Sequence, residues 1–99
     1  MENGKYVIVR TYSLGVFAGT LSAESTETMK VLTNARRIWF WAGAASLSQL
    51  ATSGTTAPAD CKFPCEVARV ELTSPSGFEV LDVTDAARAS IAGVPIWSA

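Results

Sequence analysis

Arg36 and Arg37 stand just before Trp39, Phe40 and Trp41, and this run holds most of the chemistry the chain can offer a ligand. A guanidinium presents a planar fork of donors that fits a phosphate, and an aromatic face stacks a nucleobase for roughly 1–3 kcal/mol. Asn34, just upstream, adds an amide. A second polar group, Arg10-Thr11-Tyr12-Ser13, adds a cation and three hydroxyls. The candidate ligand-binding residues are therefore Arg10, Arg36 and Arg37 for phosphates, Trp39 and Trp41 for bases, and Asn34 and Tyr12 for hydrogen bonds. Lys62 and Arg69 are further cations, although Arg69, flanked by Val67 and Glu71, reads more simply as the partner of an acid. The same tryptophans serve equally as core residues, because indole supplies much buried apolar area. Residues 10–13 serve equally as a solvated turn.

What is missing narrows the field. The chain has no histidine, which removes the commonest general base, the serine and cysteine dyads and the commonest metal ligand. Cys61 and Cys65 have no second cysteine pair to complete a zinc site, and they are expected to be free thiols. No phosphate-cradling glycine motif occurs. Asp60, Glu66, Asp82 and Asp85 read as caps, loop residues and solvated charges. A binding protein without catalysis, metal or cofactor is expected, since binding needs only shape, stacking and donors.

Net charge is −1, so no broad cationic field exists to gather extended DNA or RNA, while a small phosphorylated ligand needs only a few placed cations. Charged residues make up 17 %, below the usual quarter, which points to covered surface and a homo-oligomer. The run Met1-Glu2-Asn3-Gly4-Lys5 lacks the apolar stretch of a signal peptide, and no segment approaches the roughly 18 apolar residues of a membrane span. An intracellular, soluble protein with no membrane partner is expected.

The elements that must position these groups follow from periodicity and turn chemistry. After a turn-like Asn3-Gly4, residues 5–10 read as a strand. A polar loop leads to a second strand at 16–21, whose Gly19 permits a bulge or close backbone approach. A third strand at 28–32 and a tight turn at Thr33-Asn34-Ala35 lead into a fourth at 36–41. Alternation would set Arg37, Trp39 and Trp41 on one face and Arg36, Ile38 and Phe40 on the other. Both faces carry aromatics, so the pattern leaves open which is buried, and it hints at a covering layer or subunit.

Ala42-Gly43-Ala44-Ala45 leaves a gap beside the sheet. Ser46 and Gln49 have capping-box spacing for a helix beginning at Leu47, with Leu47, Leu50 and Ala51 facing the sheet. Its N-terminus beside Arg36 and Arg37 is a candidate anion site, for which the Ser46 oxygen competes. Strands follow at 66–72 and 78–83, and Thr84 and Asp85 cap a helix running to Ile91 before Gly93. The fold class is α+β in a single domain over 1–99: a mainly antiparallel sheet of about six strands with two short helices.

Gly4-Lys5-Tyr6-Val7-Ile8-Val9-Arg10-Thr11-Tyr12-Ser13, Asn34-Ala35-Arg36-Arg37-Ile38-Trp39-Phe40-Trp41, Ser46-Leu47-Ser48-Gln49-Leu50 and Cys61-Lys62-Phe63-Pro64 carry a resemblance. The chain resembles a family of small bacteriophage and prophage proteins and is similar to the phage Thoeris anti-defence sponges. That resemblance implies an oligomeric sponge in the host cytoplasm. Its ligand would be a cyclic ADP-ribose or cyclic nucleotide immune signal, held uncleaved in pockets shaped by more than one subunit. The competing expectation is a phage protein–protein module or inhibitor that docks onto a host protein through its aromatic strand.

Overall fold

Val7-Ile8-Val9 is β-branched throughout and fully buried, as befits a strand covered on both faces. It is the middle of β1 (Tyr6–Thr11), in a computed structural model that describes residues 4–98. Asn3 of the expected Asn3-Gly4 turn, and most of the N-terminal run read for a signal peptide, lie outside the described residues. β2 (Gly15–Leu21), β3 (Met29–Arg37), α1 (Leu47–Ser53), β4 (Val67–Thr73), β5 (Glu79–Asp82) and α2 (Asp85–Ala92) follow. The strands form one antiparallel sheet of five, ordered β4-β3-β2-β1-β5.

The expected third and fourth strands are a single strand. Thr33-Asn34-Ala35 does not turn the chain. Asn34 sits in the left-handed region at φ 50° and the ladder to β4 runs straight through it, from Met29↔Thr73 to Ala35↔Val67. The strand expected over 36–41 stops at Arg37. β2 begins at Gly15, so beyond the Arg37–Phe17 pair and the bond from Ile38 N to Val16 O (2.8 Å) the ladder runs out, and the Trp39 amide turns to Lys62 O (3.1 Å). Trp39, Phe40 and Trp41 leave the sheet, and only Phe40 pairs again, in an isolated bridge with Lys62.

Two apolar clusters hold the layers. On the helix-covered face, Ile8, Ala18 and Ile38 pack with Leu47, Leu50 and Ala51 of α1, Ile91 of α2, and Cys61, Phe63 and Val94. On the other face lie Val7, Val9, Phe17, Leu32, Ala35 and Leu72, with Val70 and Phe78 alongside.

Both helices start where local chemistry dictates. Ser46 Oγ accepts from Gln49 N (3.2 Å) and Thr84 Oγ1 accepts from Ala87 N (3.0 Å), satisfying amides that have no helical partner. Cys61 is buried, Cys65 is exposed, and both are free thiols. Among the described residues no helix is long and apolar enough to cross a membrane.

Candidate functional site

The site is built by a bulge. From Ala18↔Arg36 to Thr20↔Thr33, β2 advances two residues while β3 advances three, so Ala35 and Asn34 together face Gly19. Asn34 tolerates the positive φ. Gly19 leaves the room required: a Cβ there would meet Ala35 Cα at 3.0 Å and Thr33 O at 3.1 Å. The inserted residue changes the phase of the strand. Leu32 and Ala35 both face the second cluster, and Arg36, which unbroken alternation would have put beside Leu32, turns to the helix-covered face opposite Ala18.

There Arg36 is 6 % exposed and its guanidinium is bound to main chain. Nε donates to Pro64 O (2.9 Å), Nη1 to Ile91 O (2.8 Å), and Nη2 to Phe63 O (3.1 Å) and Val94 O (2.7 Å). One side chain thereby ties the sheet to the segment before β4, to the last turn of α2 and to the tail. The carbonyl end of a helix also favours a cation. Burial pushes the Arg36 pKa below its usual value. Among the described residues the ion pairs are Lys5–Asp82, Arg10–Glu79, Arg69–Glu24 and Arg69–Glu71, so no carboxylate within salt-bridge distance neutralises Arg36.

Arg36 forms the floor of a cleft of about 390 Å³ between the sheet and the end of α2. Tyr6, Thr20, Asn34, Glu66 and Arg88 bring polar groups to it, and Val94 and Ile96 line it with apolar surface. Tyr6 pairs with Thr20 across β1 and β2, extending the Ile8–Ala18 row on the helix-covered face. The exposed Arg88 lies over the Tyr6 ring, with Cζ 4.7 Å from the centroid, and makes no ion pair among the described residues.

Burial raises the Tyr6 pKa above the ordinary 10.0, Arg88 works to lower it, and Glu66 to raise it. A phenol whose folded-state pKa lies above its unfolded value adds stability that is complete below about pH 10 and is lost as pH rises through the folded value. Urea midpoints across the alkaline range are expected to fall more steeply for the wild type than for Tyr6→Phe. Equal slopes would show that Tyr6 is not the group responsible.

Residues 4–91 match the family model described as a domain of unknown function, DUF6948. The chain belongs to the DUF6948 family. The matched span takes in the whole sheet and every polar residue of the cleft, and stops short of Val94 and Ile96. No curated protein and no solved structure matches the chain.

In this DUF6948 domain the seven residues nominated from the sequence do not converge. Asn34 and Arg36 line the cleft. Arg10 and Tyr12 line a separate depression of about 480 Å³ with Ser76, Phe78 and Glu79, where Arg10 Nη2 pairs with Glu79 Oε1 at 2.9 Å and Tyr12 is 94 % exposed. Arg37 lies on the other face of the sheet, stacked 4.3 Å from the Phe17 ring centroid and donating to Leu14 O (3.1 Å). Trp41 packs, half-buried, against the helix-side cluster.

Trp39, 64 % exposed, Phe40, Ile96 and Trp97 are exposed apolar residues. Lys62 lies between Phe40 and Trp97, with Nζ 5.9 and 5.6 Å from the two rings. The α1 N-terminus offers little to an anion, because Gln49 Oε1 takes the Ala45 amide (2.6 Å) and Ser46 Oγ takes that of Gln49.

Sequence reasoning missed Tyr6, Thr20 and Arg88 and treated Glu66 as solvated. Tyr6 could have been found, since it shares a face with Ile8 at the open end of β1. Arg88 reads in the sequence only as a polar residue of a short helix.

Proposed function

We propose that the chain is a non-catalytic binding protein that captures a small phosphorylated nucleotide in the Tyr6–Arg88 cleft and releases it uncleaved. The observation that carries this reading is the Arg88 guanidinium lying over the Tyr6 ring with no acidic partner among the described residues, in a cleft that Arg36 also lines. A phosphate there gains charge-assisted hydrogen bonds from Arg88, with the Asn34 amide and Thr20 hydroxyl beside it. Glu66 can accept from an amino or hydroxyl group, and Ile96 offers apolar surface to a base or sugar. The resemblance to phage anti-defence sponges makes a cyclic ADP-ribose or cyclic nucleotide signal the ligand class, the host cytoplasm the setting and a homo-oligomer the working form.

Titration calorimetry against a panel of these signals is the test. A member of the panel is expected to bind, and Arg88→Ala to weaken it by about 1.5–3 kcal/mol, roughly ten- to a hundredfold, with the melting temperature unchanged. Ligand recovered after denaturation should be intact. Absence of binding by the folded protein to every member of the panel would retire the reading.

A second reading, a module docking onto a host protein, is favoured by the exposure of Trp39 and Phe40, and by Phe40 and Trp97 flanking Lys62, since aromatic residues anchor interfaces. The two readings separate in one variant: Trp39→Ala should abolish capture of a host protein and leave nucleotide titrations unchanged.

A further inference from the structure

We infer that β4 is a self-recognition edge: two copies of this chain pair antiparallel along Val67–Thr73 about a two-fold axis through Val70, joining their sheets. The inference stands apart from what the cleft binds.

Among the described residues β4 is an outer strand, bonded only to β3. Within that ladder Ser74 N donates to Thr28 O at 3.3 Å, in the same register as Leu72↔Lys30 and Val70↔Leu32. Hydrogen-bonded pairs alternate along an antiparallel ladder, so the even-numbered residues of β4 spend their amides and carbonyls on β3. The main-chain groups of Arg69, Glu71 and Thr73 point outward, to the open edge.

Charge then selects the register. An axis through Arg69 would set it against its own copy, and an axis through Glu71 would do the same with two carboxylates. Like charges directly opposite are unfavourable. An axis through Val70 sets Arg69 opposite the partner's Glu71, twice by symmetry, and both are outward-bonding positions. Val70 then meets the partner's Val70 as a non-hydrogen-bonded pair, in which side chains approach closely. Val70 and Leu72 pack with the second apolar cluster, which that contact would extend across the axis.

Arg69 is already held beside Glu71 (3.4 Å) and Glu24 (3.0 Å), on a half-exposed surface where a cross-strand carboxylate can join them. The usual guards of an open edge are lysine, proline and bulges facing outward. β4 has neither lysine nor proline, and the bulge in the sheet lies between β2 and β3. It is also the longer edge, seven residues against four in β5.

Sedimentation equilibrium of the full chain is expected to show a monomer–dimer equilibrium. Arg69→Glu and Glu71→Arg should each weaken it about tenfold or more, by replacing two attractive pairs with two repulsive ones. The double reversal, which restores opposite charges, should recover it. In a Cys65→Ser background, Val70→Cys should form a disulfide-linked dimer on mild oxidation, while Thr73→Cys, facing the partner's Val67, should not. A monomer up to millimolar concentration overturns the inference. So does a dimer indifferent to the single reversals, or one that the double reversal fails to rescue.

Discussion

Replacing Arg36 by methionine should cost about 3–5 kcal/mol of folding stability, because it removes charge-assisted hydrogen bonds to four carbonyls at once. Methionine keeps much of the apolar stem and removes every donor. The carbonyls of Phe63, Pro64, Ile91 and Val94 then lose a partner together, in a place water reaches poorly. Phe63 O keeps the Trp97 amide (3.0 Å) and Ile91 O the Val94 amide (3.2 Å), so the unsatisfied acceptors are Pro64 O and Val94 O, each at a cost of about 1–3 kcal/mol.

Domains of this size are stable by only about 5–15 kcal/mol, so the variant should melt about 20 °C lower. Arg36→Lys should recover only part of this, since an ammonium cannot reproduce a planar fork reaching four carbonyls. Thermal and urea unfolding check both variants. A loss within about 1 kcal/mol for Arg36→Met would mean that the four hydrogen bonds do not hold the tail and α2 to the sheet.

Replacing Gly19 by valine should cost about 1–3 kcal/mol of folding stability, the range for overpacking a filled site. A Cβ at Gly19 would meet Ala35 Cα at 3.0 Å, Thr33 O at 3.1 Å and Ala35 Cβ at 3.2 Å, and the first two belong to the main chain, so β3 has to draw away from β2 at the bulge. Arg36 follows Ala35 directly, and its hydrogen bonds to four carbonyls are disturbed by the same movement.

The companion variant is Asn34→Gly, which accepts φ 50° freely and adds no atom between the strands, and should lie within about 1 kcal/mol of the wild type. Near-ultraviolet circular dichroism and calorimetry distinguish the two. A loss within about 0.5 kcal/mol for Gly19→Val would show that the two strands do not need the missing Cβ where they cross the bulge.

These two variants mark where sequence reasoning reaches its limit. Asn34 has a composition suited to a turn, and the left-handed preference that serves a turn serves a bulge equally. Choosing between them depends on Gly19, whose missing Cβ lets β3 crowd against β2, and the sequence shows Gly19 only as a permissive position. Once the turn is taken for granted, the run after it becomes a separate strand, and Trp39 and Trp41 acquire a shared face that they do not have. Trp39 and Phe40 leave the sheet because β2 has already ended, which is a property of the neighbouring strand. The dispersal of the nominated ligand residues follows from that: Arg10 finds Glu79, Arg37 finds Phe17 and Leu14, and Arg36 turns inward.

The sequence by itself determined the features that rest on near neighbours. Ser46 and Thr84 start helices because their oxygens reach amides three residues on, and Gly54 and Gly93 end them. The β-branched and aromatic run at residues 5–10 declares a strand, and the order of strand and helix signals along the chain gives α+β with a mainly antiparallel sheet. The tertiary structure alone decided which way Arg36 faces and what surrounds it, because its acceptors come from residues 63, 64, 91 and 94. It also decided that Tyr6 and Arg88, far apart in the chain, share one cleft. Pairing of that kind depends on strand register and on where a helix ends in space, and register is settled by the packing of both sheet faces at once.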